Sequence, residues 1–95
     1  MYTVKYTPKA LTDLRSIANY IASDNPKRAI SFIDELQLKT NSFLATAPNG
    51  GSPYKNQTRY FPVGNYIVLY EVNDVGKYVD VLHIVSARTD WKKSD

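Results

Sequence analysis

The chain has 95 residues, with 12 Lys and Arg against nine Asp and Glu, a net charge of +3 and no cysteine. That length suits one domain, residues 1–95, with a modest core that needs no disulfide or structural metal. Without thiols there is no redox centre, thiolate nucleophile or disulfide framework, and a lone histidine with carboxylates not spaced as ligands argues against zinc.

The opening Met1-Tyr2-Thr3-Val4-Lys5 lacks the apolar run of a signal peptide, and no stretch approaches the length needed to span a bilayer. A cytoplasmic protein with no membrane partner and no cofactor is expected. Tyr2 to Tyr6 alternates bulky and polar residues and predicts a short strand. Thr7-Pro8 predicts a helix start, because a threonine oxygen can accept free backbone N–H groups and proline has no N–H to lose in the first turn. Leu11, Leu14, Ile17, Ala18 and Ile21 then share one helix face, with Asp13, Arg15, Ser16 and Asn19 outside it. Asn25-Pro26 repeats the cap signal and opens a longer helix. Its stripe is Ala29, Phe32, Ile33, Leu36, Thr40, Phe43 and Leu44, with Ile30 and Leu38 left exposed. Ala47 to Pro53 predicts a loop, not a phosphate loop, since it lacks the Gly-Lys-Ser/Thr ending.

From Thr58 the period becomes two, with a tight turn at Val63-Gly64-Asn65-Tyr66 and a longer one at Asn73 to Lys77. In the strand between them, Tyr66, Val68, Tyr70 and Val72 share one face and Ile67 and Leu69 the other, so both faces are partly covered. The order is β-α-α-β-β-β, an α+β arrangement with a helical hairpin on the sheet.

Several segments together resemble the RelE/ParE superfamily of type II toxins. They are Ala10-Leu11-Thr12-Asp13-Leu14, Asn25-Pro26-Lys27-Arg28-Ala29, Ala47-Pro48 before a glycine loop, and the block from Arg59 through Phe61-Pro62-Val63-Gly64-Asn65-Tyr66 to Val68 and Tyr70. The resemblance implies a hairpin packed on a twisted, mainly antiparallel sheet, and a cognate antitoxin that neutralises the toxin. It implies two activities. The RelE-like branch cleaves messenger RNA on the ribosome and usually carries an arginine directly after the first aromatic of the strand that matches Tyr66 to Tyr70. Here that residue is Ile67, an aliphatic side chain that cannot stabilise a phosphorane, and Trp91 stands near where a catalytic Tyr or His is wanted although indole only donates. The ParE-like branch inhibits DNA gyrase by binding and needs no proton-transfer group. Arg59 to Tyr66 is similar to its arginine block, and Ala87-Arg88-Thr89-Asp90 to its Ala-Arg-Asp ending with one residue inserted.

The leading expectation is therefore a toxin that binds DNA gyrase, with no catalytic residue. The alternatives are a ribosome-dependent ribonuclease using Lys55, Arg59 and Arg88, and a non-toxic partner-binding relative. The expected target-binding residues are Lys55, Arg59, Tyr60, Arg88, Trp91, Lys92 and Lys93, whose cations would form one basic edge if the fold gathers the strand ends. Arg59 has a second reading, an ion pair with a helix carboxylate such as Asp13 or Glu35. His83, mid-strand with no evident Asp or Ser partner, is read as structural, and Tyr54 joins Tyr60 as a tyrosine worth testing.

Overall fold

Thr7 starts the first helix as its place before proline predicts. In the computed structural model, which describes residues 1–93, the elements are β1 (Thr3–Tyr6), α1 (Pro8–Ala22), α2 (Pro26–Thr46), β2 (Ser52–Pro53), β3 (Thr58–Val63), β4 (Tyr66–Asn73) and β5 (Tyr78–Ser86). Short 3-10 turns lie at Pro48–Gly50 and Trp91–Lys93. The Thr7 side chain accepts from the Ala10 amide at 3.2 Å, and its hydroxyl lies 3.0 and 3.2 Å from the Val81 and Leu82 carbonyls. One residue thus caps α1 and ties it to β5. Asn25 caps α2 in the same way, accepting from Arg28 N at 3.1 Å.

Leu14 and Ile17 are buried as their spacing predicts, but Leu11 is 48% exposed while Ala10 (0%) and Asp13 (8%) point inward. Residues 10, 13, 14 and 17 form the same i, i+3, i+4, i+7 pattern as 11, 14 and 18 rotated by one position, and a tertiary bond of Asp13 decides between them. On α2, Ala29, Leu36, Thr40 and Leu44 are buried, Phe32, Ile33 and Phe43 pack against the core, and Ile30 and Leu38 stay in solvent as predicted. Thr40 is fully buried, and its hydroxyl has no hydrogen-bond partner among the described residues. Thr40→Val, which removes that hydroxyl at nearly constant volume, is expected to raise stability by about 1 kcal/mol. Urea unfolding would read this as a higher midpoint at unchanged slope; a lower midpoint would count against it.

The strands order as β1-β5-β4-β3-β2, with β1 parallel to β5 and every other pair antiparallel. β2 is a difference from the predicted loop: Ser52 and Pro53 pair with Tyr60 and Arg59, and an edge position accepts Pro53 because no ladder N–H is required of it there. Gly64 takes φ +59° at the first central position of the β3–β4 turn, as a two-residue hairpin demands.

Phe61, Val63, Val68, Tyr70, Val79, Val81 and Ile84 meet Ala10, Leu14, Ile17, Leu36 and Leu44 in the core. Tyr66 and Val72 pack beside them, so the alternation read from β4 holds, and Ile67 and Leu69, each 7% exposed, are covered on the other face. On β5 the register shifts: Tyr70 pairs with Val81 but Leu69 with His83, leaving Leu82 as the extra residue of a bulge. Strict alternation would put His83 on the face of Val81. The bulge turns Ile84 to the core instead and sends His83 and Val85 to the face of Leu69 and Ile67. Beyond Val81 no strand among the described residues covers the outer edge of β5, because β1 pairs only with Tyr78 to Val81. Asp13 fills that role, its carboxylate accepting the Ile84 amide at 2.9 Å.

Candidate functional site

Side chains alternate along β3, so Arg59, Phe61 and Val63 face the helices while Thr58 and Tyr60 face away. On that second face the chain after β5 folds back. Tyr54 Oη lies 3.3 Å from both the Trp91 and Lys92 carbonyls, and the Trp91 ring packs edge-on against Tyr60 at 4.7 Å and against Tyr54 at 5.6 Å. Lys92 Nζ lies 5.3 Å from the Tyr60 ring centre and 5.4 Å from that of Trp91, and Lys55 Nζ 5.5 Å from that of Tyr54. Each such contact contributes about 0.5–1 kcal/mol at an exposed site, enough to favour one arrangement of a terminal turn.

Beside this cluster runs a groove of about 430 Å³. Leu69, Leu82 and Val85 form its apolar part, Tyr54 and Trp91 an aromatic wall, and Thr58, Thr89, Asp90 and His83 its polar groups. His83 is not isolated. Its Nδ1 makes a very short contact with Asp13 Oδ2, and Lys9 Nζ lies 3.3 Å from the other carboxylate oxygen. Sequence reasoning missed this pair, and the usable signal was Asp13 itself, a carboxylate in register with the inward positions Ala10, Leu14 and Ile17.

The structure brings together Lys55, Tyr60, Trp91 and Lys92, with Tyr54, but does not form one basic edge. Arg59 lies across the sheet from Tyr60, and its guanidinium donates to the Gly51 carbonyl at 2.8 Å and the Asn49 carbonyl at 3.4 Å. It pairs with neither Asp13, which is engaged by His83 and Lys9, nor Glu35, which binds Arg28 at 3.0 Å. Its neighbour Tyr70 anchors the same loop, donating to the Pro48 carbonyl at 2.6 Å and accepting from Gly51 N at 3.1 Å. Burial pushes the Tyr70 phenol above its ordinary pKa, against smaller opposing effects of the Gly51 N–H and the Arg59 charge, which keeps it a donor. Arg88 is exposed and lines a different cavity with Ser16, Tyr20 and Tyr66, beside α1. The Lys93 side chain lies outside the described residues. Among the described residues no helix is long and apolar enough to cross a membrane, and no group of three His, Cys, Asp or Glu side chains is placed to hold a metal.

Residues 4–91 match the family model of the ParE toxin of the type II toxin–antitoxin system parDE. The chain belongs to the ParE toxin family. Among solved structures, it is similar to one described as the chromosomal ParDE toxin–antitoxin system of P. aeruginosa. The TM-score is 0.73 at 22% identity, over 90% of this chain and 96% of the other. The RelBE2 toxin–antitoxin complex of Mycobacterium tuberculosis follows at 0.66 and 22%, over 90% of each chain, and the intact E. coli RelBE complex at 0.66 and 15%, over 94% and 100%. No curated protein matches the chain. The likeness to these structures concerns the fold, two helices on a five-stranded mixed sheet, and the RelE/ParE resemblance carried by the motifs stands. In this ParE-family chain, β4 carries Ile67, 7% exposed, at the position where the resemblance puts an arginine in the RelE-like branch.

Proposed function

We propose that this protein is the toxin of a type II toxin–antitoxin pair in the cytoplasm, that it inhibits DNA gyrase by binding, and that a cognate antitoxin neutralises it. The observation carrying the binding reading is the lining of the groove, which among the described residues holds no Lys or Arg. Cleavage of a phosphodiester needs charge stabilisation aimed at the phosphorus centre, commonly a few kcal/mol per group. Ile67 supplies none. The contact face is Tyr60, Trp91, Lys92, Lys55 and Tyr54, aromatic rings flanked by cations, a composition enriched at the centres of protein interfaces.

A ribonuclease reading draws on one feature, the Asp13–His83 pair, which would orient an imidazole as a general base. A base without an electrophilic partner is half a site. Two purified assays separate the readings: the wild-type protein is expected to stop supercoiling by gyrase and to leave messenger RNA on ribosomes intact. Codon-specific cleavage with gyrase unaffected would move the protein to the ribonuclease reading, and failure in both assays to the non-toxic partner-binding one.

A further inference from the structure

The aromatic contact face leaves Arg88 without a task, and its guanidinium makes no ion pair or hydrogen bond among the described residues. Its backbone amide is held by Ser86 Oγ at 3.3 Å. The side chain stands at the rim of a cavity of about 420 Å³, walled by Ser16 and Tyr20 from α1, Tyr66 at the start of β4 and Ser86 at the end of β5, over Ile17. This is the helix side of the sheet: Tyr66 packs against the core, and Ser86 follows Val85, which faces the groove on the other side. The hydroxyls of Ser16, Tyr20, Tyr66 and Ser86 donate to no acceptor among the described residues. Burial, and secondarily the neighbouring Tyr20, push the Tyr66 phenol above its ordinary pKa, which keeps it a donor. Among the described residues the lining therefore combines a cation with unused O–H donors and contains no carboxylate.

Such a lining selects an anion, and charge decides which. One guanidinium balances a singly charged carboxylate, whereas a phosphate monoester carries about −1.5 to −2 and would keep unbalanced charge. The planar guanidinium fork also matches a carboxylate with two parallel N–H···O bonds. Exposure decides how the carboxylate arrives. Tyr20 is 77% exposed and Arg88 is exposed, so a free small acid would stay largely hydrated there, while small-ligand sites usually bury most of their ligand. A polypeptide supplies its own cover, because the residue beside the acid can lie on the Tyr20 ring. We propose that this cavity is a docking point for an acidic segment of a partner protein, with an Asp or Glu side chain on the Arg88 fork, the hydroxyls of Ser16, Tyr66 and Ser86 donating to its remaining lone pairs, and an apolar or aromatic neighbour against Tyr20. The cavity lies across the sheet from the aromatic contact face, so both can be occupied at once. The assignment assumes neither gyrase nor an antitoxin.

The probe is the capped tetrapeptide Ala-Phe-Glu-Ala, titrated into wild-type protein and read by the Nε–Hε signal of Arg88 in nitrogen-15 spectra, which Arg88→Lys identifies by its disappearance. Saturable movement is expected with a Kd on the order of 1 mM or tighter, and about tenfold weaker binding of Ala-Phe-Gln-Ala, which lacks the charge-assisted bidentate contact. Arg88→Gln should remove the preference for the Glu peptide, read by the ring signals of Tyr20 and Tyr66; if that variant fails to fold, the wild-type titrations still decide. Equal binding of the Glu and Gln peptides, a stationary Arg88 signal, or inorganic phosphate binding more tightly than the Glu peptide would overturn the proposal. Acetate reaching the affinity of the Glu peptide would overturn it as well, by assigning the cavity to free anions. The titrations contain no gyrase, so the docking point can fail while gyrase inhibition stands, and the reverse.

Discussion

Under the proposed inhibition of gyrase, Trp91→Ala is expected to raise the protein concentration needed for half-inhibition of supercoiling by about 30-fold or more, the effect of losing about 2 kcal/mol or more at an interface anchor. Trp91 is the centre of the proposed contact face: its ring touches Tyr60 and Tyr54, and its carbonyl is bound by Tyr54. Removing the indole deletes the largest contact area and frees Lys92, whose ammonium lies over the Trp91 and Tyr60 rings. The fold should survive, because Trp91 follows β5 and is not part of the core cluster. Lys92→Ala should cost only a few-fold and reduce the salt dependence, as a rim charge does. Arg59→Ala should act differently, lowering the melting temperature through loss of the tie to Gly51 and Asn49 while a folded sample inhibits normally. Supercoiling titrations beside thermal melts would test this, and wild-type inhibition by Trp91→Ala would remove the aromatic cluster from the contact face.

Much of the fold was legible because it rests on local chemistry. Thr7-Pro8 and Asn25-Pro26 announce helix starts by what threonine, asparagine and proline do to free N–H groups, and the alternation in β4 assigns Val68 and Tyr70 to one face whatever the partner strands are. Leu11 and Asp13 were assigned to the wrong sides of α1 because two stripes one residue apart both satisfy a helical period. The choice lies in a contact between residues 70 apart, Asp13 and His83. The bulge at Leu82 was equally hidden. An inserted residue reverses the facing of every side chain after it, so alternation carried through the strand puts His83 among core residues and Ile84 outside, the opposite of what forms.

The candidate site was legible as composition and not as geometry. Tyr54, Tyr60, Trp91, Lys55 and Lys92 do gather, since a strand and a turn bring them to one face. Arg59 is adjacent to Tyr60 in sequence and therefore on the other side of the sheet, a consequence of period two that proximity along the chain conceals. The two-residue strand β2 gave no periodic signal, and its place follows from the anchoring of the preceding loop.

That anchoring gives the largest expected loss of stability. Gly51→Ala is expected to destabilise the protein by about 3 kcal/mol or more, since its new methyl group would collide with the Tyr70 hydroxyl and stand 2.8 Å from the Tyr60 carbonyl oxygen. The cause is space and not backbone conformation, because Gly51 has φ −75° and ψ 166°, which any residue adopts. Tyr70→Phe removes the nearest atom, leaving the ring carbon 3.0 Å from the new methyl group, and leaves the Pro48 carbonyl and the Gly51 N–H without the phenol, costing about 2–4 kcal/mol by itself. In the double variant, one of the two collisions is gone and the hydrogen bonds are lost only once. The combined loss should therefore fall short of the sum of the single losses by about 1 kcal/mol or more. For a chain of this size each kcal/mol corresponds to about 4–8 °C in Tm, so the shortfall is measurable by thermal or urea unfolding of the four proteins. Additivity within about 0.3 kcal/mol would mean that the Tyr70 hydroxyl is not what Gly51 makes room for, and that the Tyr60 carbonyl alone sets the need for glycine.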